Sequence, residues 1–239
     1  MNTEQKMKVD IWSDIMCPFC YIGKRKFEKA LEQFDHKNEV EIVWHSFQLD
    51  PGIKYMPDRN LYDYLAERKG QSREWSVKVH GQMTEMAKEV GLEYNFDKAV
   101  IANSFDAHRL IQMAKQQGKG DAAEEQLFKA YFTEGRNMSN PEVLAQIGSE
   151  IGLNANEVKQ MLGSDDYKDA VAEDINMAET LGARGVPFFV IDEKYGVSGA
   201  QAPETFLGAL TQAWQEKEPA ITTLGSNDDA TCGPDGCAL

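Results

Sequence analysis

The sequence predicts an α/β fold in which a long helical stretch interrupts a small strand-bearing unit. Three observations predict it. A strand, a helix and a second strand follow one another near the N-terminus, the stretch from about 59 to 182 reads almost wholly as helix, and strand character returns at Val186. Of the 239 residues 42% are hydrophobic, enough for a core that needs no disulfide staples.

Met7 to Trp12 alternates apolar and polar residues, the period of a half-buried strand. Past Cys17 the period changes, and Tyr21, Lys24, Phe27, Ala30, Leu31 and Phe34 recur at helical spacing. Val40 to Phe47 is β-branched and aromatic, hence a second strand. The three form a βαβ unit, with parallel strands joined by a right-handed crossover. In the helical stretch, Asn140-Pro141 places a cap before a first-turn proline, and Asn154 with Glu157 reads as a capping box. Val171, Ile175, Ala178 and Leu181 form one apolar stripe that stops at Gly182. Two strands, Val186–Asp192 and Tyr195–Ser198, precede a last helix from Pro203 to about Glu216. Residues 219–239 are rich in Gly, Ser, Asp and Thr and read as a tail.

The net charge of −14, from 39 acidic against 25 basic residues, disfavours a nucleic-acid partner. Residues 1–10 carry no apolar core of a signal peptide, and no apolar run approaches a membrane span, so the expected location is cytoplasmic with no membrane partner. In a reducing compartment, close cysteine pairs point to redox chemistry or metal binding. This chain has two pairs, Cys17-Pro18-Phe19-Cys20 and the terminal Cys232/Cys237. Two thiols separated by two residues, between a strand and a helix, have the form of a dithiol redox site. A cysteine at a helix N-terminus faces unpaired amide N–H groups and the positive dipole end, which favours the thiolate.

The element order is that of a split thioredoxin fold. Ser13 to Lys24, Gly185 to Val190 and Ala230 to Cys237 resemble the DsbA-like thioredoxin-fold oxidoreductases of the FrnE type, over essentially the whole chain. The resemblance implies a thioredoxin-like fold with a large all-helical insertion: residues 7–58 and 183–218 as the two parts of the thioredoxin-like domain, 59–182 as the insertion, and 219–239 as a flexible tail. It implies a protein-disulfide oxidoreductase or isomerase with Cys17 as nucleophile and Cys20 as resolving thiol. Pro18 and Phe19 flank the site; Phe19 departs from relatives that carry tryptophan there. In this fold the proline facing the CxxC is cis, which makes Val186–Pro187 the bond that meets substrate. From the residues alone, Pro187 reads as an ordinary trans edge-strand proline.

Cys232 lies about fourteen residues past the last helix, a reach of up to ~46–50 Å. That span exceeds the ~18 Å radius of gyration of a compact domain of this size. The tail pair is therefore expected to exchange disulfides with Cys17–Cys20, with Gly-Pro-Asp-Gly as the turn between its sulfurs. Expected partners are protein or peptide thiols, with glutathione as a possible exchange partner. No organic cofactor and no metal is expected. Four thiolates would in principle form a zinc site, although one pair starts a helix and the other sits on a tail that loses entropy on closure. A glutathione-dependent isomerase on the related kappa-type fold is the other alternative; the segment Asn103–Leu110, with His108, resembles one shared across these relatives, but that class works without the cysteine pair. His108 is expected at the substrate site, Asp14 is a turn cap by preference, His45 is left open between a functional and a core place, and His36 and His80 receive no role.

Overall fold

A computed structural model describes residues 6–217. Cys232 and Cys237, and with them the expected tail, lie outside the described residues. Strand β1 (Met7–Ser13) pairs in parallel with β2 (Val40–Ser46), and helix α1 (Pro18–Glu32) makes the crossover between them. On its other side β1 pairs antiparallel with β3 (Phe188–Ile191), which pairs antiparallel with β4 (Tyr195–Ser198), giving the order β2-β1-β3-β4. Between β2 and β3 stand α2 (Leu61–Lys69), α3 (Arg73–Glu89), α4 (Phe105–Gln116), α5 (Gly120–Phe132), α6 (Pro141–Glu150), α7 (Ala155–Leu162) and α8 (Lys168–Thr180); α9 (Pro203–Lys217) closes the described chain. Among the described residues no helix is long and apolar enough to cross a membrane.

Strand β1 is buried on both faces, and its period of two sorts the residues between them. Val9 and Ile11 join the core beneath α1 and α9, where Phe27, Phe189 and Phe206 meet with ring centroids 4.6–5.7 Å apart. Each fully buried phenylalanine contributes roughly 1.5–3 kcal/mol. Asp10 and Trp12 point the other way, Trp12 packing with Ala178 of α8. A second aromatic column ties α1 to the inserted helices: Tyr21 stacks on Phe128 of α5 at 4.7 Å, and Tyr94 stacks on Phe132 at 4.5 Å. The start of α1 is thus held between sheet and insertion.

Two local expectations need correction. The strand expected from Val186 begins at Phe188, so Val186 and Pro187 form the segment leading into it. On α8 the stripe is displaced: Val171 and Ala178 are buried, but Asp174 is buried with them and Leu181 is 47% exposed. Hydrogen bonds made by Asp174 turn that face of the helix inward. Gly182, at φ 76°, ends the helix in the left-handed conformation as expected. Asn154 caps α7 by accepting from the backbone N–H groups of Asn156 and Glu157.

Candidate active site

The loop from Ser13 to Cys17 is tied down by Asp14. Its Oδ1 accepts from the Met16 N–H at 3.2 Å and its Oδ2 from the Leu49 N–H at 2.8 Å. The Asp14 carbonyl also accepts from the Cys17 N–H at 2.8 Å. Cys17 is the N-cap of α1, with extended backbone and no cap bond from its side chain, so its sulfur is left for other work. Pro18 takes the first helical position, where a missing N–H costs nothing. The Tyr94 hydroxyl donates to the Pro18 carbonyl at 2.6 Å, pinning the helix start to the insertion.

The fold brings the CxxC to a segment 169 residues away. The Cys17 thiol points at the Val186 carbonyl, 3.6 Å from Sγ. The Val186–Pro187 peptide is cis. Gly23 permits this approach, since a Cβ there would lie 2.9 Å from Pro187 Cγ. Cys17, Cys20, Val186 and Pro187 therefore form one constellation. Phe19 is half-buried and packs against the core.

The two cysteines differ in surroundings. Both are free thiols; Cys17 is 4% exposed and Cys20 1%. Burial, reinforced by the neighbouring Cys17 sulfur, pushes the Cys20 thiol well above the ordinary range, while Asp14 and Ser13 pull weakly the other way.

Behind Cys20 lies a set of buried polar groups. Ser13, Asp14, His108 and Glu124 are each at most 2% exposed. Ser13 Oγ, both ring nitrogens of His108 and Glu124 Oε1 have no hydrogen-bond partner. His108 Nε2 lies 3.6 Å from Asp14 Oδ1. Burial raises the Glu124 carboxyl to about 7, against weaker lowering by Ser13, His108 and Lys24. His108 thus stands behind the CxxC loop, in the core of α4, and outside the lining of the open cavity described next.

That cavity, of ≈ 260 Å³, adjoins the CxxC and reaches into the insertion. Met16 and Pro18 form its wall beside the cysteines, and Leu65, Met83, Phe96 and Ile101 line it farther in. Asp14 and Tyr131 supply polar surface, and Arg68 stands in its wall.

Glu124, Gly23 and the cavity were not found from the sequence. Glu124 carries a readable signal: it shares a helical face with Leu127, Phe128 and Tyr131, all buried. Its neighbour Glu125 is the ordinary surface partner, held to about 2 by burial opposed and outweighed by Arg25 and Tyr21. Gly23 has no such signal, because its reason lies in Pro187, far along the chain. Among the described residues no group of three or more His, Cys, Asp or Glu is placed to hold a metal ion.

The family model for the DSBA-like thioredoxin domain matches residues 8–211. The crystal structure of a probable DsbA oxidoreductase from Streptomyces coelicolor is 41% identical, covers 98% of this chain and 99% of its own, and superposes with a TM-score of 0.83. The uncharacterized protein YwbO of Bacillus subtilis is 28% identical over 211 residues, 87% of this chain and 98% of that protein. A 2-hydroxychromene-2-carboxylate isomerase shares the fold alone, at 14% identity and a TM-score of 0.64, over 88% of this chain and 97% of its own.

Proposed function

The chain belongs to the DSBA-like thioredoxin domain family, and from that premise we propose that it is a thiol–disulfide oxidoreductase working through Cys17-Pro18-Phe19-Cys20. The observation that carries this reading is the placement of the Cys17 thiol at the start of α1, 3.6 Å from the Val186 carbonyl and one helical turn from a second, more deeply buried thiol.

In the oxidising direction a substrate thiolate attacks Cys17 Sγ of the Cys17–Cys20 disulfide, and Cys20 leaves as thiolate. A second substrate thiol then attacks its own sulfur in the mixed disulfide, and Cys17 leaves. The substrate dithiol loses two electrons and the protein disulfide gains them; the reverse steps reduce a disulfide. Enclosure of Cys20 favours attack at Cys17. The segment before Pro187 offers backbone to an extended substrate, and the apolar cavity offers space for one side chain near the reacting cysteine. The substrate class is therefore a protein or peptide thiol, with glutathione as exchange partner. Cys232 and Cys237, on a tail long enough to reach the site, pass disulfides to or from the first pair.

Cys17→Ser is expected to abolish exchange with a dithiol peptide, and Cys20→Ser to accumulate a mixed disulfide visible by mass. Full activity in both variants overturns the mechanism. A glutathione titration quenched by alkylation then sets the direction. A potential near ~ −120 to −180 mV belongs with oxidases and isomerases, and one near ~ −270 mV with reductases. A shift in exchange on Cys232→Ser/Cys237→Ser couples the tail to the site; none leaves the tail pair without a part in it.

A further inference from the structure

The cavity beside the CxxC has in its wall a histidine whose hydrogen bonding is half finished. His80 stands one turn before Met83 on α3 and meets Phe96 edge-on, ring centroids 4.6 Å apart, which places it in the deeper part of the cavity. It is 5% exposed. Its Nδ1 donates to the Ser76 carbonyl at 2.8 Å, which leaves the lone pair of Nε2 as an acceptor. Among the described residues Nε2 makes no hydrogen bond, and it is not sealed off as the nitrogens of His108 are. Burial lowers the pKa of the ring more than the Ser76 carbonyl raises it, so the imidazole is neutral at neutral pH and keeps that lone pair. Tyr131, 4% exposed, lines the same cavity, and its hydroxyl too has no hydrogen bond among the described residues. Buried polar groups are nearly always paired, so two unpaired ones in one cavity point to an occupant.

The surroundings narrow what that occupant is. Arg68 and Asp50 in the wall are paired with each other, and Arg68 also donates to the Leu49 carbonyl at 3.1 Å. Farther in, Leu65, Met83, Phe96 and Ile101 offer nothing to an ionised group, which would lose its hydration there. A volume of ≈ 260 Å³ suits one ring rather than a larger ligand. Tyrosine carries an O–H at the far tip of an apolar ring. Phenylalanine has no donor, and the N–H of tryptophan sits on the flank of a larger ring. The opening lies at Met16 and Pro18, on either side of Cys17 in the chain. A peptide whose cysteine meets Cys17 therefore brings a neighbouring residue to it.

We propose that the cavity is a subsite for a tyrosine next to the reacting cysteine of a peptide substrate, with His80 Nε2 accepting a hydrogen bond from the tyrosine hydroxyl. The inference rests on the exchange function and adds to it the class of peptide preferred. The tyrosine ring covers the apolar wall in place of water, and its O–H exchanges a bond to water for one to His80. Phenylalanine fills the same space but leaves Nε2 buried without a donor, which costs more than the hydrogen bond alone is worth. A site that pairs a substrate hydroxyl in this way discriminates against the analogue that lacks it. His80 sets specificity and takes no part in the movement of electrons.

The test uses the full-length chain with Cys232→Ser and Cys237→Ser, reduced and mixed in a stopped-flow instrument with short peptides. Each peptide holds its one cysteine as a mixed disulfide with 5-thio-2-nitrobenzoate. Two pairs are compared, with tyrosine or phenylalanine either before or after that cysteine. The Cys17 thiolate attacks the peptide sulfur, the bond to the nitrobenzoate sulfur breaks, and the coloured thiolate leaves. Protein and peptide are then joined through Cys17 until Cys20 displaces the peptide thiolate. In one of the two pairs the second-order rate of colour release is expected to be about tenfold higher for tyrosine. His80→Leu is expected to bring that ratio within about twofold, and His80→Gln, which keeps an acceptor, to retain part of it. A wild-type ratio within about twofold in both pairs overturns the subsite, as does a tenfold ratio that persists in His80→Leu. The wild-type comparison decides even where His80→Leu does not fold. A chain that releases colour from no peptide removes the exchange function itself, whereas one that reacts equally fast with tyrosine and phenylalanine removes only the subsite.

Discussion

Two buried histidines on neighbouring elements show opposite uses of burial. His45 on β2 is clamped at both nitrogens: Nδ1 meets Asp174 Oδ1 and Nε2 meets Asp10 Oδ1, each at 2.6 Å. Trp12 stacks on it at 4.4 Å. Asp174 Oδ2 accepts further bonds from the Ser46 N–H at 2.7 Å and from Gln112 Nε2 at 2.5 Å, and Lys8 pairs with Asp10 at 2.8 Å. Burial opposes a charged imidazole there, but the two carboxylates outweigh it and hold the His45 pKa above its ordinary value. His108 on α4 has no bond at either nitrogen and a carboxylate only at 3.6 Å. A satisfied buried network joins β1, β2, α4 and α8. Near Cys17 and Cys20, Ser13, His108 and Glu124 are buried with polar atoms that make no hydrogen bond. The difference teaches that hydrogen-bond closure, rather than residue type, separates the two clusters.

The largest way to break the comparison is Asp174→Ala. It strands the His45 imidazole with one carboxylate and leaves the Ser46 N–H and Gln112 without their acceptor. A loss of about 3–5 kcal/mol is expected by urea denaturation, with exchange per folded molecule unchanged within twofold. A loss under about 1 kcal/mol would mean the clamp holds nothing together.

Next comes pH. A glutamate whose folded pKa is about 7 against an ordinary 4.5 binds its proton more tightly when folded. The stability it adds is complete below 4.5 and is lost as pH climbs to 7, by up to about 3 kcal/mol. His45 also has a raised folded pKa, so its contribution is complete below 6.5 and is lost as pH rises through that higher value. Denaturation series from pH 4.5 to 9 should therefore show two declines. Glu124→Gln is expected to erase the lower one and His45→Gln the upper. A wild type whose stability is flat between 4.5 and 7 would contradict the burial of an uncompensated carboxyl.

The smallest effect sharpens the contrast. His108→Gln removes no hydrogen bond, so its stability cost should stay within about 1 kcal/mol, while His45→Gln costs several times more. Equal costs for the two would show that His108 is held by contacts like those of His45.

Much of this was legible along the chain. The strand-to-helix change at Cys17 is written in the shift of hydrophobic period from two to 3.6, and Pro18 marks the first turn because proline loses nothing there. The pairing of the CxxC with Pro187 was reached only through resemblance, since the residues alone favour a trans bond. Leu181 was misread because apolar periodicity cannot weigh an aspartate that turns inward for Ser46, Gln112 and His45. Glu124 stands beside Glu125, and only its step on a buried helical face sets the two apart.

Local pattern thus determined the elements, the candidate cysteine pair and where α1 begins, because period, capping and turn chemistry act between near neighbours in sequence. The tertiary structure alone decided which buried polar groups find partners. His45 bonds acids 35 and 129 residues away, whereas both His108 nitrogens, Glu124 Oε1 and Ser13 Oγ find no hydrogen bond. A hydrogen bond depends on atoms brought within about 3 Å, and spacing along the chain carries no record of that distance once three layers of helix and sheet have folded over one another.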